Sequence, residues 1–327
     1  MILELEEYKS VFLEYLSQKV LEKENFSQPY NLYEPIHYIL QLGGKRLRPV
    51  LTMMSCEIFS RNHQPALDAA LAIEMFHNFT LMHDDIMDKA DLRRGKITVH
   101  KKWDTNTGIL SGDALMILAY QFFENYEGDI FKKIVSLFNK TAIEVCEGQQ
   151  FDIDFETNMR VSLDEYKKMI GFKTAVLVAA SLKMGAIIGK ANDEEADRIY
   201  DFGFNLGMAF QLQDDYLDTF GSDDFGKKIG GDILENKKTF LVIKLLELAS
   251  KEDRVEIEKL YAEKNEDVDK IKIATNYFKK YKIDNFIKKE IKDYTKMALA
   301  DCEKLEISNA SKDSLKSFAN NLMKRKL

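Results

Sequence analysis

Proline is scarce in this chain, and its four copies all lie in the first fifth, so residues 66–327 contain none. Proline breaks helices because it lacks a backbone N–H and clashes with the preceding turn. The long proline-free stretches carry apolar residues at helical spacing, and strict strand-like alternation is missing. The sequence therefore predicts an all-α protein.

Cysteine, positive charge and leader-like segments are also scarce or missing. The three cysteines are far apart and form no Cys-x-x-Cys pair, which argues against a disulfide framework. A net charge of −7 disfavours nonspecific nucleic-acid binding. The amino terminus is acidic, and no apolar run approaches the roughly 18 residues of a membrane span. We expect a cytoplasmic protein without nucleic-acid partners or stable membrane insertion.

Helical periodicity extends along nearly the whole chain, and no linker interrupts it, so we predict one domain over residues 1–327. Pro35 marks a helix start, Pro49 lies in the first turn of the next helix, and residues 91–96 form a polar loop. Further helices are expected at 3–22, 105–126, 129–157, 163–170, 174–189 and 193–220, and from about 232 to the end.

Two aspartate-rich segments give the clearest chemical signal. Asp-Asp-Ile-Met-Asp at 84–88 ends one apolar helical stretch, and Asp-Asp-Tyr-Leu-Asp at 214–218 ends another. Residues four apart share a helix face, so the first and last aspartates of each segment point the same way. Three carboxylates on one turn repel one another unless a cation lies among them. The six candidates are Asp84, Asp85, Asp88, Asp214, Asp215 and Asp218.

Mg²⁺ is the cation that suits these segments. It prefers oxygen ligands, takes few carboxylates, and fills its remaining positions with water and substrate phosphate. One such segment alone is also compatible with a solvated helix end, whereas two in one chain favour a metal site. We therefore predict a cluster of Mg²⁺ ions held by Asp84, Asp88 and Asp214, with Asp85, Asp215 and Asp218 behind them.

Basic residues accompany both segments. Gly-Gly-Lys-Arg-Leu-Arg-Pro at 43–49 places three cations on a glycine turn before a helix start, where backbone N–H groups bind anions. Arg93 and Arg94 follow the first aspartates and suit bidentate contacts with phosphate. This constellation predicts two polyphosphate substrates, one held through metal and one held mainly by lysine and arginine. Further candidates are Lys173, Thr174 and the lysine pairs at 227–228 and 237–238.

In their order along the chain, these segments resemble the trans-isoprenyl diphosphate synthases of the polyprenyl synthetase family. The resemblance implies the isoprenoid synthase fold, an all-α bundle of long helices around a central catalytic cavity, which is usually a homodimer. No motif residue is broken, which disfavours an inactive homologue. The matching segments are 43–49, 84–88, Arg-Arg-Gly at 93–95, Lys-Thr at 173–174, 211–218 and 226–232.

The resemblance also implies the reaction. An allylic diphosphate ionises to a carbocation, C4 of isopentenyl diphosphate attacks it, and a proton is lost to give a product one isoprene unit longer. The family's usual proton acceptor is the departed diphosphate, so no side-chain base is expected. The expected catalytic set is Asp84, Asp85, Asp88, Lys173, Thr174, Gln211 and Asp214.

Substrate contacts are assigned by the same resemblance. Thr174, Gln211 and the Lys173 carbonyl would stabilise the carbocation. The allylic diphosphate would be held by Arg93, Lys173, Lys228 and Lys237. The isopentenyl diphosphate would be held by Lys45, Arg48, His77 and Arg94.

Product length depends, in this family, on the helix that precedes the first aspartates. Phe79 lies five residues before Asp84, Thr80 lies four before it, and Phe76 lies one turn deeper. An aromatic residue followed by a small one resembles the geranylgeranyl synthases of archaeal type. We expect geranylgeranyl diphosphate, with farnesyl diphosphate as the nearest alternative and a longer polyprenyl product less favoured, because Phe79 would obstruct the tail.

Three other functions are weighed against this one. A class I terpene cyclase shares the aspartate-rich helix, but its second motif normally mixes Asn, Ser or Thr, and Glu, and it needs no second diphosphate site. A regulatory subunit of a heteromeric prenyl synthase typically lacks one aspartate motif. A di-iron bundle would need Glu-x-x-His pairs, and the five histidines show none.

Overall fold

The computed structural model describes residues 3–22, 27–158, 160–221, 230–262 and 268–324. Nearly all regular structure in these residues is helical, which confirms the all-α class. The helices are α1 (Leu5–Leu16), α2 (Tyr30–Gln41), α3 (Leu47–Ser60), α4 (Leu67–Met87), α5 (Val99–Lys102), α6 (Thr105–Phe123), α7 (Gly128–Thr157), α8 (Leu163–Ile170), α9 (Val176–Ile188), α10 (Asp193–Phe220), α11 (Gly231–Leu234), α12 (Phe240–Leu248), α13 (Lys251–Ala262), α14 (Val268–Lys280), α15 (Ile283–Lys304) and α16 (Asn309–Met323).

Three short helical turns of other types adjoin these helices. A π-helical turn at Ser17–Leu21 follows α1, and a 3₁₀ turn at Gln64–Ala66 leads into α4. A second π-helical turn, Gly171–Ala175, joins α8 to α9. A π turn holds one more residue than an α turn and is frequent at functional sites. The turn at Gly171–Ala175 carries two of the residues predicted to bind substrate.

The helix start predicted at Pro35 is wrong, because α2 begins five residues earlier, at Tyr30, and contains Pro35. Pro35 cannot donate to the carbonyl of Asn31, so α2 lacks that one hydrogen bond. Pro49 lies in the first turn of α3, as predicted.

The polar loop predicted at 91–96 is a short antiparallel hairpin. Strand β1 (Leu92–Arg93) pairs with β2 (Lys96–Ile97), and Leu92 lies opposite Ile97. Arg94 and Gly95 form the turn with φ angles of 53° and 74°. Positive φ at both central residues is the geometry that fits the twist of a two-residue hairpin. The turn was missed because only its glycine follows the usual sequence preference.

The chain forms two compact units. One comprises Met1–Phe138 with Ser181–Asp197, and the other comprises Asn139–Ala180 with Arg198–Leu327. The first unit contains the aspartates at 84–88, and the second contains those at 214–218. The single domain expected from the sequence stays a prediction.

Helix α4 is the core of the first unit and packs against α3 and α6. Nine of its first ten residues are buried, including the charged Glu74. A helix that is apolar on all sides is stable only when other elements surround it. Phe76 is fully buried and its ring lies 5.1 Å from that of Phe138. This enclosure fixes the direction in which α4 delivers its final aspartates.

Helix α12 has the same role in the second unit. Six of its nine residues are buried, and it packs against α8, α14 and α15. The backbone N–H of its first residue, Phe240, lies 3.4 Å from a carboxylate oxygen of Asp215. The core of this unit therefore contacts the second aspartate segment directly.

One continuous helical stretch, Leu163–Ile188, is long and apolar enough by composition to cross a membrane. This finding corrects the expectation that no apolar stretch approaches that length. Within the protein, 72% of its most apolar window is buried. That burial is typical of the core helix of a soluble protein.

Candidate active site

The first aspartate segment occupies the carboxyl end of α4, with Asp88 as the residue that caps it. Unpaired carbonyl groups make this end of a helix negative, so carboxylates there are unfavourable without a cation. The last turn of α4 contains no basic residue. The electrostatics of this helix end therefore favour a bound positive charge.

Two glycines on α6 allow close packing against this end of α4. A Cβ atom on Gly108 would lie 3.0 Å from the Ile86 side chain, and one on Gly112 would overlap the ring of His83. The His83 ring also donates a hydrogen bond to the carbonyl of Ile109, at 3.2 Å. The last turn of α4 is thus fixed against α6.

The middle aspartate of the first segment is held by arginine. Arg93 Nε lies 2.8 Å from both carboxylate oxygens of Asp85, and Arg93 Nη2 lies 2.7 Å from one of them. Asp85 is buried, whereas Asp84 is partly exposed and Asp88 is exposed. Burial raises the pKa of Asp85, and Arg93 acts in the opposite direction. The arginine anchors the middle carboxylate, and the outer two are less buried.

The glycine turn before α3 is held by a buried ion pair. Arg46 has a left-handed backbone, with φ of 51°, and its guanidinium pairs with Glu74 and donates to the carbonyl of Leu40. Asn78 donates to the same Glu74 carboxylate at 3.1 Å. Buried charges are tolerated only when they are paired and hydrogen-bonded. Arg46 was noted as one of three cations in the sequence but was not chosen as a site residue.

Arg94 fastens this turn from the hairpin. Its guanidinium donates to the carbonyl of Gly43 and packs flat on Gly44, where a Cβ atom would lie 2.7 Å from the guanidinium carbon. Gly44 also has a φ of 114°, a conformation that side chains rarely adopt. Gly44 is therefore required both for its backbone angle and for the space that it leaves to Arg94.

Arg48 and His77 are in direct contact, with 3.1 Å between Nη1 and Nε2. A guanidinium can only donate, so Nε2 of His77 accepts and the ring is neutral. Burial and then the charge of Arg48 hold the pKa of His77 well below its usual range. Burial also lowers the pKa of Arg48 to about 10. The predicted residues Arg48, His77 and Arg94 thus lie together around the glycine turn that carries Lys45.

The second aspartate segment follows the same plan at the end of α10, whose last turn also lacks a basic residue. Asp215 is buried, while Asp214 and Asp218 are partly exposed. Tyr166 donates its hydroxyl hydrogen to Asp215, and Gln211 Nε2 lies 3.1 Å from the other carboxylate oxygen. Burial and the Asp232 carboxylate raise the pKa of Asp215. In both segments, protein donors hold the middle aspartate and the outer two are more accessible.

A polar cleft in the second unit brings together five predicted residues. Its wall also contains five further charged or polar residues, of which only Lys238, in the lysine pair at 237–238, is a candidate from the sequence. The predicted residues are Lys173, Thr174, Gln211, Asp215 and Lys237; the others include Asp152, Tyr166, Asp232 and Lys238. Lys228 lies outside the described residues.

Lys173 and Thr174 belong to the π-helical turn at Gly171–Ala175. Lys173 Nζ lies 2.6 Å from Asp152 on α7, and Thr174 donates to Gln211 on α10 at 3.0 Å. Gln211 in turn donates to Asp215. A chain of hydrogen bonds therefore links the threonine to the second aspartate segment.

Oxygen donors at two helix ends suit a hard divalent cation better than zinc or copper, which favour nitrogen and sulfur. Among the described residues, no three histidine, cysteine, aspartate or glutamate side chains already surround a metal position. Mg²⁺ needs only one or two carboxylates when water and substrate phosphate complete its shell. The donor set therefore fits a metal that arrives with a diphosphate.

The residues predicted to limit product length lie along one side of α4. Phe79 is partly exposed, and its ring lies 5.7 Å from Phe76 and 4.7 Å from His83. Thr80 donates its hydroxyl hydrogen to the carbonyl of His77 at 2.8 Å, which leaves its methyl group as the available surface. Phe76 is part of the aromatic core, whereas Phe79 has an accessible face.

Sequence signals existed for some of the missed residues. Glu74 is a single charge in a completely apolar stretch, which indicates a buried partner. Gly148 and Asp152 lie four apart in the middle of a helical pattern, where a glycine needs a packing reason. Tyr166 carried no such signal, because its contact with Asp215 joins residues 49 positions apart.

Known proteins that this chain resembles in sequence and structure are synthases of isoprenyl diphosphates. The chain is 41% identical to a geranylgeranyl diphosphate synthase of Methanosarcina mazei over 230 residues, which cover 69% of this chain and 71% of that protein. It is 37% identical to a geranylfarnesyl diphosphate synthase of Natronomonas pharaonis over 249 residues, 70% of this chain and 73% of that protein. The crystal structure of a geranylgeranyl pyrophosphate synthase, 48% identical, superimposes with a TM-score of 0.93 and covers 99% of this chain and 100% of that one.

The family comparison covers most of the chain. The polyprenyl synthetase family matches residues 29–278, which include both aspartate segments, the glycine turn, the hairpin and the polar cleft. The chain belongs to the polyprenyl synthetase family.

Proposed function

We propose that the protein is a short-chain trans-prenyltransferase that condenses isopentenyl diphosphate with an allylic diphosphate and releases geranylgeranyl diphosphate. The observation that carries the proposal is the shared arrangement of the two aspartate segments. Asp85 and Asp215 are buried and held by protein donors, whereas the outer aspartates are accessible. A binding site for metal and diphosphate needs fixed carboxylates of this kind.

The family uses a divalent metal, and we propose Mg²⁺ as that metal. We assign coordination to the outer aspartates, Asp84, Asp88, Asp214 and Asp218. Asp85 and Asp215 were included in the predicted ligand set, but here they orient the turns, because their carboxylates are engaged by Arg93 and Tyr166. When bound, the metal would neutralise the charge of the leaving diphosphate.

The polar cleft of the second unit suits the allylic diphosphate. Lys173 and Lys237 provide positive charge, while Thr174 and Gln211 present dipoles that stabilise a carbocation without attacking it. The side chains of Thr174 and Gln211 are already oriented by hydrogen bonds, so they need little reorganisation when positive charge develops on the substrate. Lys228 is proposed for the same diphosphate from the family resemblance alone.

The basic turn of the first unit suits isopentenyl diphosphate. Four arginines there, Arg46, Arg48, Arg93 and Arg94, are matched by two buried carboxylates, Glu74 and Asp85. The remaining positive charge, with Lys45 on the same turn, favours an anion. The neutral ring of His77 adds a hydrogen-bond donor at Nδ1, because Nε2 is the acceptor from Arg48.

The product assignment is supported by the relatives named as geranylgeranyl diphosphate synthases and by the residues on α4. Phe79 offers a bulky partly exposed face, and Thr80 offers a small one. A tail that passes Thr80 would meet Phe79 and then the buried Phe76. Farnesyl and longer products are the alternatives that an assay must distinguish.

We further propose a cytoplasmic homodimer. Helix α6 exposes Leu110 and Ile117 at 60% and 61% of their surface. These residues lie seven apart and therefore on one face. Exposed apolar side chains grouped on one face are typical of protein interfaces.

The direct test uses the purified chain with Mg²⁺, isopentenyl diphosphate and, separately, dimethylallyl, geranyl and farnesyl diphosphate. Product length is measured by mass spectrometry after removal of the diphosphate. We expect geranylgeranyl diphosphate as the main product, and loss of turnover in Asp84→Asn. Consumption of the allylic substrate without isopentenyl diphosphate would instead identify a cyclase, and inactivity of the single chain would indicate a subunit that needs a partner.

A further inference from the structure

Two glycines lie against the backbone of the π-helical turn Gly171–Ala175. A Cβ atom on Gly148 of α7 would overlap the backbone nitrogen of Lys173 and lie 2.7 Å from the carbonyl carbon of Phe172. A Cβ atom on Gly207 of α10 would lie 2.7 Å from Cα of Ala175. Both long helices therefore touch the backbone of the turn itself.

Each glycine has a polar residue four positions further along the same helix. Asp152 follows Gly148 on α7 and binds Lys173 Nζ at 2.6 Å. Gln211 follows Gly207 on α10 and accepts the hydroxyl hydrogen of Thr174 at 3.0 Å. Residues four apart lie on the same helix face. Each helix thus supplies one backbone contact and one side-chain contact to the same turn.

These contacts act on a conformation that is costly without support. A π turn is rare and inserts one extra residue into the helix, which rotates all side chains that follow. Glycine in the middle of a helix also lowers helix stability. Both destabilising features, the π turn and the mid-helix glycines, occur together at the turn that carries Lys173 and Thr174.

Close packing alone does not account for the pattern. Gly189 also meets a neighbouring backbone, since a Cβ atom there would lie 2.8 Å from the carbonyl oxygen of Cys56. At Gly148 and Gly207, by contrast, the close contact is with residues of the turn Gly171–Ala175. Four residues further along the two helices, Asp152 and Gln211 contact the side chains of Lys173 and Thr174.

We propose that Gly148 with Asp152 and Gly207 with Gln211 form a clamp that positions Lys173 and Thr174 for the allylic substrate. Gly148 and Gly207 are positioning residues that act through the turn between them. The inference rests on the proposed prenyltransferase activity.

The kinetic test compares Gly148→Ala and Gly207→Ala with Gly189→Ala and Glu147→Ala. Glu147 is exposed beside Gly148, and its substitution adds no atom at the turn. We expect both clamp variants to lose about 30-fold in kcat/KM for the allylic diphosphate, as small misplacements of catalytic groups do. The KM of both clamp variants for isopentenyl diphosphate should stay within about twofold of the native value. The kcat and KM values of Gly189→Ala and Glu147→Ala should also stay within about twofold of native for both substrates.

Hydrogen exchange measures the clamp without turnover. Peptides that cover residues 171–175 should exchange faster in Gly148→Ala and Gly207→Ala than in the native protein, and at the native rate in Glu147→Ala. Where an alanine variant does not fold, Asp152→Asn replaces it, with the same expected loss in kcat/KM. Native exchange and native kcat/KM in the folded variants would overturn the clamp. Absence of condensation by the native protein would instead reject the proposed function, and exchange would still decide whether the glycines hold the turn.

Discussion

Tyr166 donates its hydroxyl hydrogen to the buried carboxylate of Asp215. The two residues lie 49 positions apart, on α8 and α10, and the contact is enclosed by the core of the second unit. Asp215 lies between the two aspartates proposed as metal ligands at that helix end. The orientation of the whole segment therefore depends on a phenol from another helix.

Removal of this hydroxyl should weaken metal-dependent activity. Tyr166→Phe leaves a buried acceptor without one of its donors, which costs about 1–3 kcal/mol of folding free energy. We expect kcat to fall about tenfold and the Mg²⁺ concentration for half-maximal activity to rise, because the outer carboxylates lose their fixed orientation. Magnesium titrations of turnover measure both effects.

Tyr8→Phe is the matched control, because Tyr8 is also buried and donates to a buried carboxylate, that of Glu57, at 2.8 Å. Its magnesium dependence should be native. An equal shift in the two variants would show that loss of a tyrosine hydroxyl acts through general stability and would remove the special role of Tyr166.

Neutralisation of Glu74 should weaken binding of isopentenyl diphosphate. Glu74→Gln leaves the Arg46 guanidinium buried without its counter-charge, and Arg46 holds the residues just before the glycine turn through the Leu40 carbonyl. We expect the KM for isopentenyl diphosphate to rise about tenfold with little change in kcat. Steady-state kinetics with the allylic substrate saturating give both values.

Glu57→Gln serves as the control for loss of a buried carboxylate. Glu57 accepts hydrogen bonds from Tyr8 at 2.8 Å and from His63 at 3.0 Å, away from the arginines. That variant should lose stability and keep its KM. A native KM in Glu74→Gln, with the variant folded, would contradict the assigned role.

His77 should make folding stability depend on pH in the weakly acidic range. Its pKa in the folded protein lies well below the value of about 6.5 in an unfolded chain. As the pH falls below about 6.5, the unfolded chain gains a proton that the folded protein does not, so stability decreases. The loss is at most about 1.4 kcal/mol per pH unit for one proton.

Denaturant unfolding at about pH 7.5 and pH 5.5 measures this contribution. His77→Asn should show a smaller decrease than the native protein between the two conditions. Burial also lowers the pKa of His37, which acts in the same direction, so the informative quantity is the difference between native and variant. Equal decreases in both proteins would show that His77 does not titrate between these values.

Shortening of Phe79 should lengthen the product. Phe79→Ala removes the aromatic face beside Thr80 and opens the path that the growing tail would take along α4. We expect geranylfarnesyl or longer diphosphates in place of geranylgeranyl diphosphate. Chain lengths are read by mass spectrometry, and Phe131→Ala, a change at an exposed phenylalanine, should leave the distribution unchanged. An unaltered product from Phe79→Ala would reject this residue as the floor.

A charge on the exposed face of α6 should weaken the proposed dimer. Ile117→Lys places an ammonium group on a surface that would be buried against a second copy, where an unpaired charge is costly. Light scattering after gel filtration should show a shift towards monomer. Val255→Lys alters a residue that is 51% exposed on α13 and should leave the assembly unchanged. Monomeric native protein would reject the dimer itself.

The sequence was sufficient for the features that depend on local pattern. The period of apolar residues located α6, α7 and α10 to within a few positions, and the spacing of the aspartates placed them at helix ends. These helix positions follow from neighbours within a few residues. Lys173, Thr174 and Gln211, which line one cleft, were grouped by the family resemblance and not by local pattern.

Features that depend on distant contacts were not predictable. The left-handed backbone of Arg46 has no local signal, because it is held by Glu74, 28 positions later. The π turn at Gly171–Ala175 has an ordinary helical composition, and its extra residue is stabilised by contacts with α7 and α10. The start of α2 was predicted too late in the chain, at Pro35, because a proline is more common at a helix start than inside a helix.

The mid-helix glycines also bear on efforts to stabilise this protein. Replacement of helical glycines by alanine usually raises stability by about 0.5–1 kcal/mol per site. At Gly148 and Gly207 the added methyl group would press on the backbone of the turn Gly171–Ala175. A design based on helix propensity would favour both replacements. The gain in helix propensity would come with displacement of Lys173 and Thr174, around which the cleft is built. Substitutions that raise thermal stability and keep the activity must therefore lie at other positions.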